Sequence, residues 1–210
     1  MTVVFPEDSS KTLDMLKDIS SAYGLLGKHE EALAIQKEHY EKCKEILGEY
    51  HLDTLNSLAI LASKYSNLGK YEEEVAIDEQ LFQTKKRILG ENHPDTLAQM
   101  LRLSWSYSKQ SRFEDALSLA KQVYLKRKVV LGEEHPKTLE AYRSIADCYR
   151  RMERYGDALP IYQKLYKRYK EDDDRSNAKL TLASLALTYA NLGIMEEAMP
   201  LFQKQAKGEY

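Results

Sequence analysis

Leu58, Leu61, Ala62 and Tyr65 fall at i, i+3, i+4 and i+7, an apolar stripe along one side of a helix. The stripe returns down the chain. Tyr23, Tyr65, Tyr107 and Tyr149 stand 42 residues apart, and Tyr189 follows after 40. Four residues before each tyrosine comes Ile19, Leu61, Leu103, Ile145 or Leu185, followed by a small residue (Ser20, Ala62, Ser104, Ala146, Ala186). Nine residues after each tyrosine comes Ala32, Glu74, Ala116, Ala158 or Ala198, inside a second helical stretch. Each unit therefore predicts two helices, a first of ~14 residues and ~21 Å and a second of ~19 residues and ~28 Å.

Turn residues fix the phase. The phrase ILGEYHLDTL returns as ILGENHPDTL and VLGEEHPKTL, each 42 residues on. Gly48, Gly90 and Gly132 read as the residue just past the second helix, and Pro94 and Pro136 suit the first position of the next. Gly27, Gly69 and Gly193 mark the turn inside three units, and acids open the second helix in KHEEAL, KYEEEV and RFEDAL. Pro160 and Pro200 lie early in the last two second helices and are read as tolerated there. Repeats are expected near 12–53, 54–95, 96–137, 138–177 and 178–206, with a two-residue phase slip at EDDDRSN. Residues 1–11 read as a lead-in or the remnant of a preceding repeat, and 207–210 as a tail. A tandem period of this size predicts a stacked array in which each unit buries its apolar face against its neighbours.

Composition leaves this picture standing. The 210 residues are 43% hydrophobic and 30% charged, too apolar for disorder. A net charge of −2 gives no general pull toward nucleic acid or an anionic membrane. No long apolar run predicts a membrane span, and MTVVFPEDSS does not read as a secretory signal. Cys43 and Cys148 fall at different places in different units, so no disulfide is expected and a reducing cytoplasm is the default.

The small residue, tyrosine, glycine and alanine at these spacings resemble the tetratricopeptide repeat, over about residues 10–206. The extra eight residues, carrying the LGxxHPxTL phrase, resemble the longer repeat of kinesin light chains, a form shared with sensor arms of some nucleotide-dependent signalling proteins. The resemblance implies an all-α, right-handed α-solenoid of about five antiparallel helix pairs, whose first helices line a concave groove that grips peptides.

Opposite the buried stripe, the first helices carry Asp14, Asp18, Ser21 and Leu25, then Asn56, Ile60, Ser63 and Asn67, then Ala98, Arg102, Trp105 and Lys109. Unit four gives Glu140, Ser144, Asp147 and Arg151, flanked by Arg143 and Arg150, and unit five Leu180, Ser184, Leu187 and Asn191. Trp105, the one tryptophan, falls mid-row and reads as a binding anchor, or alternatively as packing against the next unit. Arg102, Lys109, Arg143, Arg150 and Arg151 read as a cationic cluster around it, or as a solvated face. The candidate binding residues are thus Asn56, Ile60, Ser63, Asn67, Arg102, Trp105, Lys109, Arg143, Asp147, Arg150 and Arg151.

No residue reads as catalytic. The acid pairs repeat with the period, as helix-start acids do, and no phosphate loop, GxSxG, HExxH or CxxC occurs. His51, His93 and His135 sit in successive units, too far apart to share a metal, and read as residues orienting the turn. His29 and His39 read as surface or packing residues. No metal or cofactor is expected. The expected role is non-enzymatic capture of a protein or peptide partner in the groove, an acidic segment with an apolar anchor, without nucleic acid or membrane. The alternatives are a structural self-assembly unit, with a homo-oligomer forming through apolar surface around Leu201, Phe202 and the first helix of the last repeat, and a regulatory arm of a larger nucleotide-dependent signalling protein.

Overall fold

The computed structural model describes residues 7–208, with side chains from residue 11. Most of the lead-in, residues 1–6, and the last two residues of the tail lie outside that range. Among the described residues there are ten helices and no strand: α1 (Glu7–Leu25), α2 (His29–Leu47), α3 (Leu52–Asn67), α4 (Tyr71–Leu89), α5 (Pro94–Lys109), α6 (Phe113–Leu131), α7 (Pro136–Arg151), α8 (Tyr155–Glu171), α9 (Arg175–Asn191) and α10 (Met195–Lys207). This is an all-α helical repeat fold.

The chain divides into two compact units, Met1–Gln110 and Ser111–Tyr210. In the first, α1 packs on α2, α2 on α3, α3 on α4 and α4 on α5; in the second, the same order runs from α6 to α10. Leu33, Tyr40, Leu55, Leu58, Leu61 and Leu81 form one core of the first unit. The landmark alanines Ala32, Ala116, Ala158 and Ala198 are all fully buried, which explains why a small side chain recurs there.

Helix ends follow the punctuation. Gly48, Gly90 and Gly132 take φ of 92°, 91° and 88°, a region closed to residues with a Cβ, and end α2, α4 and α6. Ser111 and Glu153 stand where Gly27 and Gly69 make the left-handed turn, and hold φ of 62° and 59° at a cost of roughly 1 kcal/mol each. His51, His93 and His135 cap α3, α5 and α7: each Nδ1 accepts the second helical N–H (of Asp53, Asp95 and Lys137) at 3.2, 3.1 and 3.2 Å. Imidazole here does what serine or aspartate does at most helix starts. Pro94 and Pro136 occupy the first turn beside these caps, and α8 and α10 run on through Pro160 and Pro200.

Candidate functional site

Glu74 departs from the alanine that every other unit places at its position. It is 3% exposed, and Asp78, one turn on, is fully buried. Two carboxylates on one inner helix face need partners, and α5 supplies them. Arg102 Nε lies 2.9 Å from Asp78 Oδ1, Gln99 donates to the same oxygen at 3.0 Å, and the Ser106 hydroxyl donates to Oδ2 at 2.6 Å. Lys109 Nζ sits 2.7 Å from Glu74 Oε1 and also donates to Ser66 Oγ at 2.6 Å. Arg102 reaches back to the Ala59 carbonyl with Nη2 at 2.9 Å. The two cations of α5 are thereby tied to α4 by ion pairs and to α3 by hydrogen bonds.

Above this network opens a cavity of about 330 Å3 walled by Ser63, Asn67, Arg102, Trp105 and Lys109, with Ser66, Glu74 and Ser106 behind. Five of the expected binding residues meet there. Trp105 is 44% exposed, while its neighbours Leu103 and Ser104 are buried. The cationic cluster is rearranged, however. Arg102 and Lys109 face buried carboxylates, so the cavity walls carry paired rather than uncompensated charge. The sequence reading missed Asp78, Gln99 and Ser106 because they lie outside the row it followed; Glu74, the lone departure from alanine, was the available signal.

Glu74 Oε2 is enclosed and has no hydrogen-bond partner. An enclosed, unmatched acceptor costs about 1–3 kcal/mol. If the acid is removed, the Lys109 left behind is 38% exposed and can be hydrated. Glu74→Ala, which restores the residue of the other units, is therefore expected to raise the urea unfolding midpoint, by about 1 kcal/mol of stability. A drop of that size would show that the Lys109 pair outweighs the orphaned oxygen.

Asn56 and Ile60 do not join this cavity; they line another, among α1, α2 and α3. Behind that one runs a second buried polar chain. His39 Nδ1 lies 2.8 Å from Ser57 Oγ, Gln36 donates to Ser57 Oγ at 3.1 Å, and Ser20 donates to Gln36 Oε1 at 3.1 Å. His39 occupies the place that Leu81, Val123 and Leu165 fill in later units. It is a packing residue, as expected, and a polar one. Burial, then the Lys17 charge, hold it below the usual histidine value of 6.5, against Asp14 and Asp53, which act the other way. The unfolded chain therefore takes up a proton before the folded one. Stability should be independent of His39 above about pH 6.5 and fall as the pH drops below it. Melting temperatures at pH 7.5 and 5.5 are expected to differ less in His39→Leu than in the wild type; equal differences would exclude this contribution.

Arg143, Asp147, Arg150 and Arg151 stand on α7, in the second unit, and the first three turn to one another and to α8. Arg143 Nε is 3.7 Å from Asp147 Oδ2; the Tyr162 hydroxyl donates to Asp147 Oδ1 at 2.6 Å and accepts from Arg150 Nε at 3.4 Å. Burial, then the Asp147 charge, push the Tyr162 hydroxyl well above its ordinary value, so it stays a donor. Arg151 is exposed. Among the described residues no group of three or more His, Cys, Asp and Glu could hold a metal ion, and no helix is long and apolar enough to cross a membrane. Cys43 and Cys148 are buried and do not form a disulfide.

A model of the tetratricopeptide repeat matches residues 11–86 and 125–171, and a second model of the same description matches residues 96–137. Among solved structures, a point variant of nearly identical TPR-like repeats, described as a kinesin light chain of Podosopora anserina, aligns with a TM-score of 0.80 and 22% identity over 97% of each chain. BtubC (BKLC) from P. vanneervenii aligns at 0.76 with 13% identity, over 95% of this chain and 80% of that one. A Rap protein complexed with competence and sporulation factor aligns at 0.70 with 13% identity, over 90% of this chain and 51% of that one. At these identities the likeness is one of architecture. No curated protein matches the chain.

Proposed function

The chain belongs to the tetratricopeptide repeat family, whose repeats mediate protein–protein interaction, and from that premise we propose that it captures a peptide segment, without catalysis, at the Trp105 cavity of its first unit. The observation that carries this is a half-exposed tryptophan on the rim of a polar cavity, on a helix whose own apolar stripe is already complete. Its ring offers a large, rigid apolar area at low entropic cost.

The pairing of Arg102 with Asp78 and of Lys109 with Glu74 revises the ligand expected from sequence. The acids beneath compensate the two cations, which leaves donors that suit backbone or amide carbonyls better than a run of acids. The favoured segment has an aromatic or apolar anchor against Trp105 and neutral polar neighbours for Ser63 and Asn67. Selection from a random peptide display library tests this. Enriched peptides should share one apolar anchor, shift the Trp105 fluorescence on binding, and show no excess of Asp and Glu. Enrichment of acidic runs would restore the charge-led reading, and binders blind to Trp105 would remove this site.

Self-assembly stands as the second reading because Leu180, Leu187, Ile194, Met195 and Met199 of the last two helices and their turn are exposed. Of the surface expected from sequence, the first helix of the last unit is exposed at Leu180 and Leu187, while Leu201 and Phe202 are partly buried. A sedimentation coefficient rising with concentration, and flattened by Leu187→Lys, would favour it.

A further inference from the structure

Equivalent positions on α2, α4, α6 and α8, 42 residues apart, carry Cys43, Lys85, Arg127 and Tyr169. Three of these side chains are long or bulky, and only the thiol is small. In the second unit Arg127 fills its own site from within. Its Nη1 donates to the Lys137 carbonyl at 2.6 Å and to Glu140 Oε2 at 3.0 Å, so a buried guanidinium is held by the start of α7. In the first unit Cys43 is 1% exposed and ends far short of the matching place. A cavity of about 300 Å3 lies there, among α1, α2 and α3.

The lining matches the Arg127 site in part: the arginine is missing, and Asn56 stands where that site has Glu140. Asp53 and Asn56 stand 84 residues before Lys137 and Glu140 and line the cavity. Asp14 adds a second carboxylate, so the acids outnumber Lys17. Leu47 and Ile60 give apolar wall for the methylenes of a long side chain. Covalent chemistry at Cys43 is disfavoured, because burial pushes its thiol above the ordinary value and keeps it protonated.

We propose that the cavity among α1, α2 and α3 receives an arginine side chain from a partner polypeptide, supplying in trans the guanidinium that Arg127 supplies in cis. The inference rests on the preceding reading only for the polypeptide nature of the partner; the site and its geometry are separate from Trp105.

The test is a titration of 15N-labelled protein with acetyl-arginine methylamide, alongside its citrulline counterpart, which has the same shape and no charge. Saturable shifts are expected at the amides of Asp53, Asn56 and Ile60, with citrulline binding at least tenfold more weakly and Trp105 fluorescence unmoved. Asp14→Asn with Asp53→Asn, both at exposed positions, should weaken the arginine probe about tenfold. Cys43→Arg with Asn56→Glu copies the Arg127–Glu140 pair and should abolish probe binding by occupying the site. If that variant does not fold, the Asp→Asn pair still decides. Absence of shifts at these amides, equal binding of citrulline, or indifference to the Asp→Asn changes would overturn the proposal. Loss of the Trp105 ligand would bear on the function above and leave this result intact.

Discussion

Truncating Arg102 to alanine is expected to lower the unfolding free energy by about 3 kcal/mol, measured by urea denaturation. The reason lies in what stays behind. Asp78 is fully buried, and without Arg102 it keeps the Gln99 amide and the Ser106 hydroxyl as hydrogen-bond donors in the core. Removing one member of a buried pair typically costs about 3–5 kcal/mol, and the low end applies because Arg102 itself is 26% exposed. The contrast with Glu74→Ala is the informative part. Both changes break an ion pair, but one strands a buried anion and the other a cation that can reach water. Later repeats offer the control: Ala120 and Ser144 occupy the places equivalent to Asp78 and Arg102. The double variant Asp78→Ala, Arg102→Ser should recover most of the loss, because a charge-free core needs no compensation. A double variant as unstable as Arg102→Ala would refute the stranded-charge account and point to lost packing by the arginine stem.

Trp105→Ala is expected to weaken a selected peptide about 30-fold, near 2 kcal/mol, while leaving the melting temperature close to that of the wild type. Trp105 is 44% exposed and stands outside the buried stripe of its helix, and its exposed face is the area a ligand can cover. Calorimetric titration of the wild type and the variant with one peptide, beside their thermal melts, separates the two effects. A loss of affinity matched by a large fall in melting temperature would make Trp105 a structural residue. Arg102→Ala is a poor probe of the same site, since its expected destabilisation would remove binding by unfolding the wall of the cavity.

The fold was legible because a repeat writes its physics several times over. The tyrosine-to-alanine spacing, the glycines after α2, α4 and α6, and the prolines opening α5 and α7 each report a local constraint that needs no distant partner. Part of the site was legible for the same reason: helical periodicity alone puts Ser63 with Asn67 and Trp105 with Lys109 on a common side. The histidine caps could be placed in the turn, but which nitrogen accepts which N–H is visible only in the folded loop.

What periodicity could not give was the identity of the groups facing that row across the helix pair. Asp78 and Glu74 approach Arg102 and Lys109 from α4, some 24 to 35 residues away along the chain, and turn an expected field of free cations into compensated pairs. The cavity among α1, α2 and α3 has the same origin: Cys43 is unremarkable by itself and matters only where its neighbours' long side chains would otherwise fill space. Sequence by itself determined the helices, their order, the repeat and its family, because these follow from spacing along one strand of chain. The tertiary structure decided which charges are neutralised and which voids stay open, because Coulomb energy and packing depend on distances between helices that spacing does not encode.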